Sequence, residues 1–258
     1  MSVALVTGAA GGIGAAVAER LAQEHTVLLT DVDPVRLAAV SAKLFADGAA
    51  VAHAVCDVSE RSSVQAAFDA AEEQLGEVTA VANVAGIGGV LTEFTELSEK
   101  DWDRTFAVNT RGTFLVCQEF VRRRAGRPGA IVAVGSIGAR LGMDTIADYG
   151  ASKAAVIELV HAVARFGAPS GLRANTVLPG LIWTDMWRKA TERIVTTDPA
   201  AGGATPEEVF AGYVDRMVPM KRPQTPADIA ESVGFLLSER ARNVTGQTIA
   251  VDGGTVMT

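Results

Sequence analysis

Tyr149 and Lys153 stand four residues apart in Asp148-Tyr149-Gly150-Ala151-Ser152-Lys153-Ala154, a stretch that predicts the opening of a helix. Residues at that spacing share a helix face, which would bring the lysine ammonium close to the phenol. A free tyrosine ionises at about pH 10, and a cation nearby stabilises the phenolate and lowers that value. The same spacing also arises where a lysine stem merely packs a tyrosine ring, so the pair needs company. Ser136 supplies it: in Val134-Gly135-Ser136-Ile137-Gly138 it follows a predicted strand, at the edge where open α/β sheets bind ligands. A phenol that exchanges a proton and a hydroxyl that holds an oxygen are what hydride transfer to or from an alcohol requires.

A second cluster points to the source of the hydride. The first predicted strand runs into Thr7-Gly8-Ala9-Ala10-Gly11-Gly12-Ile13-Gly14, after which Ala15 to Glu24 reads as a helix. Glycines at such a turn let backbone amides approach an anion, and the helix N-terminus adds a partial positive charge. Turns also collect glycine for steric reasons alone. The position of Asp31, at the end of the second predicted strand, argues for a dinucleotide, because an acid there can read the ribose 2′-hydroxyl. A carboxylate would repel a 2′-phosphate, so NAD is expected over NADP, with Arg36 the one nearby cation that could alter the choice.

These groups need a frame, and the hydrophobic pattern provides one. Apolar or β-branched runs at Val3–Thr7, Thr26–Thr30, Ala50–Val55, Val78–Asn83, Ala130–Val134, Arg173–Val177 and Thr248–Val251 alternate with stretches of helical period. They predict an α/β fold: one Rossmann-like, doubly wound parallel sheet of about seven strands, with helices on both faces. Asp33-Pro34, Thr205-Pro206 and Thr225-Pro226 predict capped helix starts, as does Ser98 with Asp101 three residues on. Residues 101–123 and 150–166 each read as one helix. The arginines of Arg122 to Gly129 are expected to complement a helix C-terminus and face solvent. With no linker or repeat, residues 1–258 read as a single dinucleotide-binding and catalytic domain. Residues 184–219 form an insertion within it, suited to covering a site and containing the glycine-rich stretch Pro199 to Gly203.

Composition excludes other classes. The 258 residues carry a net charge of −7, which disfavours nucleic acid and anionic membranes as partners. Cys56 and Cys117 sit in apolar contexts and form no metal-ligand spacing with the three histidines, so no metal is expected and both read as reduced core residues. The absence of a charged leader before Val3 and of a long apolar run makes the cytoplasm the expected compartment.

Taken in order, Thr7 to Gly14, Asn83-x-Ala85-Gly86, Asn109, Ser136, Tyr149-x-x-x-Lys153 and Pro179-Gly180 resemble the short-chain dehydrogenase/reductase family, over Val3 to Gly254. The resemblance implies an NAD-dependent oxidoreductase in which Tyr149 is the acid/base, Lys153 tunes it and binds the nicotinamide ribose, Ser136 donates to the substrate oxygen and Asn109 holds a relay water. It implies cofactor contacts from Gly8, Gly12, Ile13, Gly14, Asp31, Asp57, Val58, Asn83, Ala85, Gly86, Pro179, Gly180, Ile182 and Thr184. Val84 stands where the family usually has a second asparagine, and Phe166-Gly167 replaces a frequent glutamate-leucine pair.

The stretches from Pro179 to Trp187 and from Arg222 to Ala230, with Thr245 to Gln247, resemble the subgroup acting on acetoin, butanediols and small polyols. A small secondary alcohol, vicinal diol or hydroxyketone is therefore expected. A 3-oxoacyl-thioester reductase and a dihydrodiol dehydrogenase are the alternatives within the family, and a non-catalytic dinucleotide sensor the alternative outside catalysis. Trp183 and Met186 could line a substrate pocket or belong to the core. A homotetramer is implied by the resemblance and matches the surplus of alanine, valine and leucine on the two long predicted helices.

Overall fold

The computed structural model describes residues 2–197 and 202–257, so residues 199–201 of the glycine-rich stretch lie outside the described residues. Seven strands, β1 (Val3–Thr7), β2 (Thr26–Asp31), β3 (Val51–Val55), β4 (Val78–Asn83), β5 (Gly129–Val134), β6 (Leu172–Pro179) and β7 (Thr248–Val251), form one sheet in the order β3-β2-β1-β4-β5-β6-β7. Every pairing is parallel. Strand order reverses beside β1, which opens a crevice at the carboxyl ends of β1 and β4.

Ten α-helices accompany the sheet among the described residues: α1 (Gly12–Leu21), α2 (Pro34–Ala46), α3 (Arg61–Gln74), α4 (Glu99–Phe106), α5 (Gly112–Arg124), α6 (Gly138–Leu141), α7 (Ala147–Gly167), α8 (Asp185–Thr197), α9 (Pro206–Met217) and α10 (Pro226–Leu237). The alternation of side chains along β1 divides the core. Ala4 and Val6 pack with Val17 and Leu21 of α1, Leu37 of α2 and Ile229 and Val233 of α10. Val3 and Leu5 pack with Phe68 of α3, Phe120 of α5 and Val156 and Val160 of α7. Each such fully buried side chain contributes about 1.5–3 kcal/mol.

The expected caps form. The Asp33 carboxylate accepts from the amides of Val35 and Arg36 at the start of α2, Ser98 accepts from Asp101, and Thr205 and Thr225 close reciprocal capping boxes with Glu208 and Asp228. β6 exceeds its predicted run by Leu172, which pairs with Gly129 of β5, and by Leu178 and Pro179, which pair with Ala250 and Val251 of β7, and its polar residues are satisfied inside. The buried Arg173 guanidinium donates to the carbonyls of Leu236, Leu237 and Ser238, which end α10, and Asn175 donates to Val244.

Two expectations are corrected. The helix read over residues 101–123 is interrupted between α4 and α5 by a π-helical turn, Ala107–Arg111, that contains Asn109. Of the arginines at the end of α5, Arg122 and Arg127 are exposed as expected, but Arg123 and Arg124 are not. Only Arg127 caps α5, donating to the carbonyls of Arg123 and Arg124, whereas Arg123 pairs with Asp69, Glu72 and Glu119 and the buried Arg124 with Glu77. Acids on α3 and before β4 draw these side chains inward, and those acids are distant in sequence.

The described residues of the insertion form two helices, α8 and α9, with the Trp187 ring 5.3 Å from that of Phe210 and 5.5 Å from that of Tyr213.

Candidate active site

The turn after β1 is shaped by two glycines. Gly8 has φ of +67° and a side chain there would meet the Ala85 backbone at 2.8 Å, while a Cβ on Gly14 would lie 2.0 Å from the Gly8 carbonyl oxygen. α1 therefore starts tight against the turn. Its cap is Gly11, no side chain closes its first turn, and the amides of Gly12, Ile13 and Gly14 are left for an anion. That is the donor set a pyrophosphate needs.

At the end of β2, Asp31 is held by both oxygens: Oδ2 accepts from the Ala10 amide and Oδ1 from the Asp33 amide, each at 3.0 Å. It does not cap α2, which is the task of Asp33. Asp57 follows β3, and its Oδ1 accepts from the Ser59 amide and hydroxyl. Val58 and Ile182 are buried, so what either could offer a ligand is backbone. Pro179 ends β6, the Gly180 amide donates to Val251, and Thr184 stands within contact distance of a Cβ placed on Gly12.

A chain of buried hydrogen bonds links this turn to the catalytic candidates. The Thr7 hydroxyl donates to Asn83 Oδ1 at 2.9 Å and accepts from the amides of Val84 and Ala85. Asn83 Nδ2 donates to the Thr113 hydroxyl at 2.9 Å, which donates to the Asn109 carbonyl at 2.7 Å. Asn109 clamps Ile87, accepting from its amide at 2.8 Å and donating to its carbonyl at 3.0 Å, and also donates to Ser152 Oγ, which donates to the Tyr149 carbonyl. The Asn83 side chain is thus spent on positioning the loop Val84 to Gly89. Val84 takes part through its amide alone, so its departure from the family pattern leaves the chain whole. Sequence reasoning missed Thr113 and Ser152 in this role; threonine four residues after Asn109 and serine three after Tyr149 are ordinary helix residues with no signal of their own.

Ser136, Tyr149 and Lys153 meet at the carboxyl end of β5. Ser136 accepts from the Gly138 amide at 3.0 Å, and its hydroxyl and the Tyr149 ring both border Gly138, 3.4 and 3.3 Å from a Cβ placed there. Lys153 is buried and donates to the Val134 carbonyl at 3.0 Å, with its nitrogen 5.9 Å from the centre of the Tyr149 ring. Burial pushes its pKa down to about 8. The Tyr149 phenol is pushed up by burial, with the Ser136 hydrogen bond opposing the rise. The expected lowering of this phenol by the ammonium is not what the protein alone displays, because desolvation outweighs a cation engaged with a backbone carbonyl. Gly86 passes close by: a Cβ on it would lie 3.0 Å from Lys153 Nζ and 3.1 Å from Asn109 Oδ1.

The start of α8 roofs the crevice. Asp185 pairs with Arg36 of α2 at 2.9 Å, and Met186 packs over Gly88 in the loop after β4. Trp183 is divided between two roles, packing 5.0 Å from Phe210 in the apolar cluster around Ile137, Leu178 and Leu181 while remaining partly exposed.

Residues 8–256 match the family model described as enoyl-(acyl carrier protein) reductase. The chain is 36% identical over 255 residues to D-threitol dehydrogenase of Mycolicibacterium smegmatis, covering 98% of this chain and 92% of that protein. Among crystal structures, NAD+-bound xylitol dehydrogenase resembles it with a TM-score of 0.91 at 30% identity, over 98% of both chains. An actinorhodin polyketide ketoreductase variant with NADPH does so with a TM-score of 0.91 at 30% identity, over 98% of this chain and 97% of the other. The chain belongs to the short-chain dehydrogenase/reductase family, and is an oxidoreductase that binds a nicotinamide dinucleotide and acts on CH–OH groups or the matching ketones.

Proposed function

We propose that this enzyme transfers a hydride between NAD(H) and a small secondary alcohol, vicinal diol or hydroxyketone. The observation that carries the reading is Lys153, a buried amine beside Tyr149 and Ser136 that donates to the Val134 carbonyl and has no acid as a partner among the described residues. Burying an amine without an acid is costly, and a fold keeps such a group where chemistry needs it.

In the oxidative direction, the Tyr149 oxygen takes the proton of the substrate hydroxyl as hydride leaves the carbinol carbon and the carbon–oxygen double bond forms. Reduction reverses both transfers. Ser136 donates to the substrate oxygen, Lys153 stabilises the phenolate and binds the nicotinamide ribose, and Asn109 holds the water that passes the proton on. The dinucleotide, when bound, supplies the hydride acceptor or donor. The first-turn amides at Gly12, Ile13 and Gly14 hold its pyrophosphate, with Gly8 shaping their approach. Asp31 reads the adenosine ribose diol, Asp57 and Val58 the adenine, and the loop containing Asn83, Ala85 and Gly86 lines the groove. Pro179, Gly180, Ile182 and Thr184 meet the carboxamide. NAD is favoured because Asp31, held by two amides, presents a fixed negative charge to a 2′-phosphate.

Residues 1–258 act as one dinucleotide-binding and catalytic unit, with 184–219 as its substrate loop. The apolar side chains around that loop, Met186 over Gly88 and Trp183 beside the Ile137 cluster, support a compact substrate with little charge. A homotetramer is supported by the outer face of α4 and α5, where Trp102 stacks on Phe106 at 4.6 Å and Phe114 is exposed. A cytoplasmic location is supported by two buried free thiols, both pushed up by burial, and no helix among the described residues is long and apolar enough to cross a membrane.

A panel of secondary alcohols, diols, ketones and one 3-oxoacyl thioester, assayed with both dinucleotides, tests the reading. Turnover of a small alcohol or diol with NAD is expected. Activity confined to the thioester with NADPH would replace it with a 3-oxoacyl-thioester reductase, and tight NADH binding without turnover would indicate a sensor.

A further inference from the structure

The first turn of α8 touches both sides of the crevice, Asp185 meeting α2 and Met186 the loop after β4. Asp185 Oδ2 lies 2.9 Å from Arg36 Nη2. Arg36 occupies the first turn of α2, where its amide donates to the Asp33 carboxylate, and the Asp33 amide in turn donates to Asp31. The backbone of Arg36 is therefore tied through Asp33 to the carboxylate assigned to the ribose, and no other lysine or arginine stands between Thr26 and Arg36.

Both partners are about half exposed, at 54% and 50%, so the pair is made in water and yields to a stronger anion. A 2′-phosphate is such an anion, carrying nearly two charges and three acceptor oxygens that suit a guanidinium fork. Asp185 has a fallback partner in Arg188, 3.8 Å away and one turn further along α8, so releasing Arg36 does not strand it.

We propose that Asp185 is a specificity-determining residue for the cofactor. By holding Arg36 it withholds that guanidinium from a 2′-phosphate. Selection between NAD and NADP is then shared between the end of β2 and the substrate loop, and a 2′-phosphate that captures Arg36 detaches the first turn of α8 from α2. This rests on the NAD reading above and extends it to a residue outside the dinucleotide-binding turns.

The test is equilibrium binding of NADH and NADPH, followed by energy transfer from protein tryptophan, for the full chain with Asp185→Asn, Asp185→Glu, Arg36→Gln and the Asp185→Asn/Arg36→Gln double variant. Asp185→Asn is expected to lower the ratio of NADPH to NADH dissociation constants about three- to tenfold at low salt, an advantage that shrinks as salt screens the contact. Asp185→Glu should keep the wild-type ratio, and adding Arg36→Gln to Asp185→Asn should abolish the gain. An Asp185→Asn ratio equal to that of the wild type overturns the proposal, as does a gain that survives loss of Arg36. A wild-type protein that binds NADPH more tightly than NADH defeats the NAD reading alone, since the shift in ratio between variants is read independently of its starting value.

Discussion

Replacing Lys153 by methionine separates the stability of this protein from its chemistry. The side chain is buried, its ordinary pKa of 10.5 is pushed down to about 8 by desolvation, and it donates to Val134. A gap of about two and a half units, at roughly 1.36 kcal/mol each, corresponds to a penalty of about 3 kcal/mol for keeping the ammonium charged inside the folded protein. Between about pH 8 and 10.5 the unfolded chain binds the proton that the folded chain has lost, so this group makes stability rise with pH there. Below pH 8 the full penalty stands. Methionine removes it and orphans the Val134 carbonyl, which costs about 1 kcal/mol, leaving the variant more stable by about 2 kcal/mol at pH 7. Urea unfolding at fixed protein concentration and stepwise pH gives the comparison. Cys56 and Cys117 are pushed up by burial and act in the opposite direction at alkaline pH, but they are common to both proteins and cancel in the difference, and Tyr149, raised by burial from an ordinary value of 10.0, enters only at the top of the range. The variant's advantage should vanish by about pH 10, while its affinity for NADH falls at every pH. Curves that stay parallel from pH 7 to 10, or a variant less stable than wild type at pH 7, would refute the reasoning.

Tyr149→Phe removes one oxygen from a helix whose contact with Ser152 is made through the backbone, so folding and NADH binding should persist while turnover falls ~10²–10⁴-fold in steady-state assays. Asp31→Ala should weaken NADH binding by about 1–3 kcal/mol and admit NADPH, measured by titration of each dinucleotide. Thr113→Val strands Asn83 Nδ2 and the Asn109 carbonyl together, and thermal unfolding should register a loss of about 1–3 kcal/mol; an unchanged midpoint would show that this hydroxyl bears no share of the buried chain.

What could be read from sequence follows from how local each signal is. β1, β4 and β7 have the limits their apolar runs give, and Asp33, Ser98, Thr205 and Thr225 cap the helices they precede, because an apolar run and a cap each act within a few residues. The glycine turn and the Tyr149–Lys153 face are equally local. The π turn at Ala107–Arg111 was not legible, since its residues are ordinary helix formers and what distinguishes it is the packing of Asn109 against Ile87 and Ser152. β6 outruns the run Arg173–Val177 by Leu172, Leu178 and Pro179, whose strand partners, Gly129 of β5 and Ala250 and Val251 of β7, are distant in sequence. The direction of the Tyr149 shift was misjudged for a related reason: spacing gives the distance to a neighbour along a helix, whereas desolvation depends on everything that closes over the ring.

The placement of Asn109 explains why the two halves of the site cannot be built independently. A π turn widens the helix between α4 and α5 by one residue, and the displaced asparagine reaches the loop after β4 with both ends of its amide. That loop is also held from the opposite side by Thr7, at the very end of the strand that enters the phosphate turn. Five side chains, Thr7, Asn83, Thr113, Asn109 and Ser152, therefore connect the backbone that meets a pyrophosphate to the backbone of Tyr149. All five are buried, so each member left unpaired would carry the desolvation cost of an orphaned polar group, and the arrangement favours being wholly made or wholly absent. A cofactor turn and a proton-transfer residue anchored to one such chain hold a common frame, which is the condition for hydride and proton to leave the same substrate within tenths of an ångström of a productive geometry.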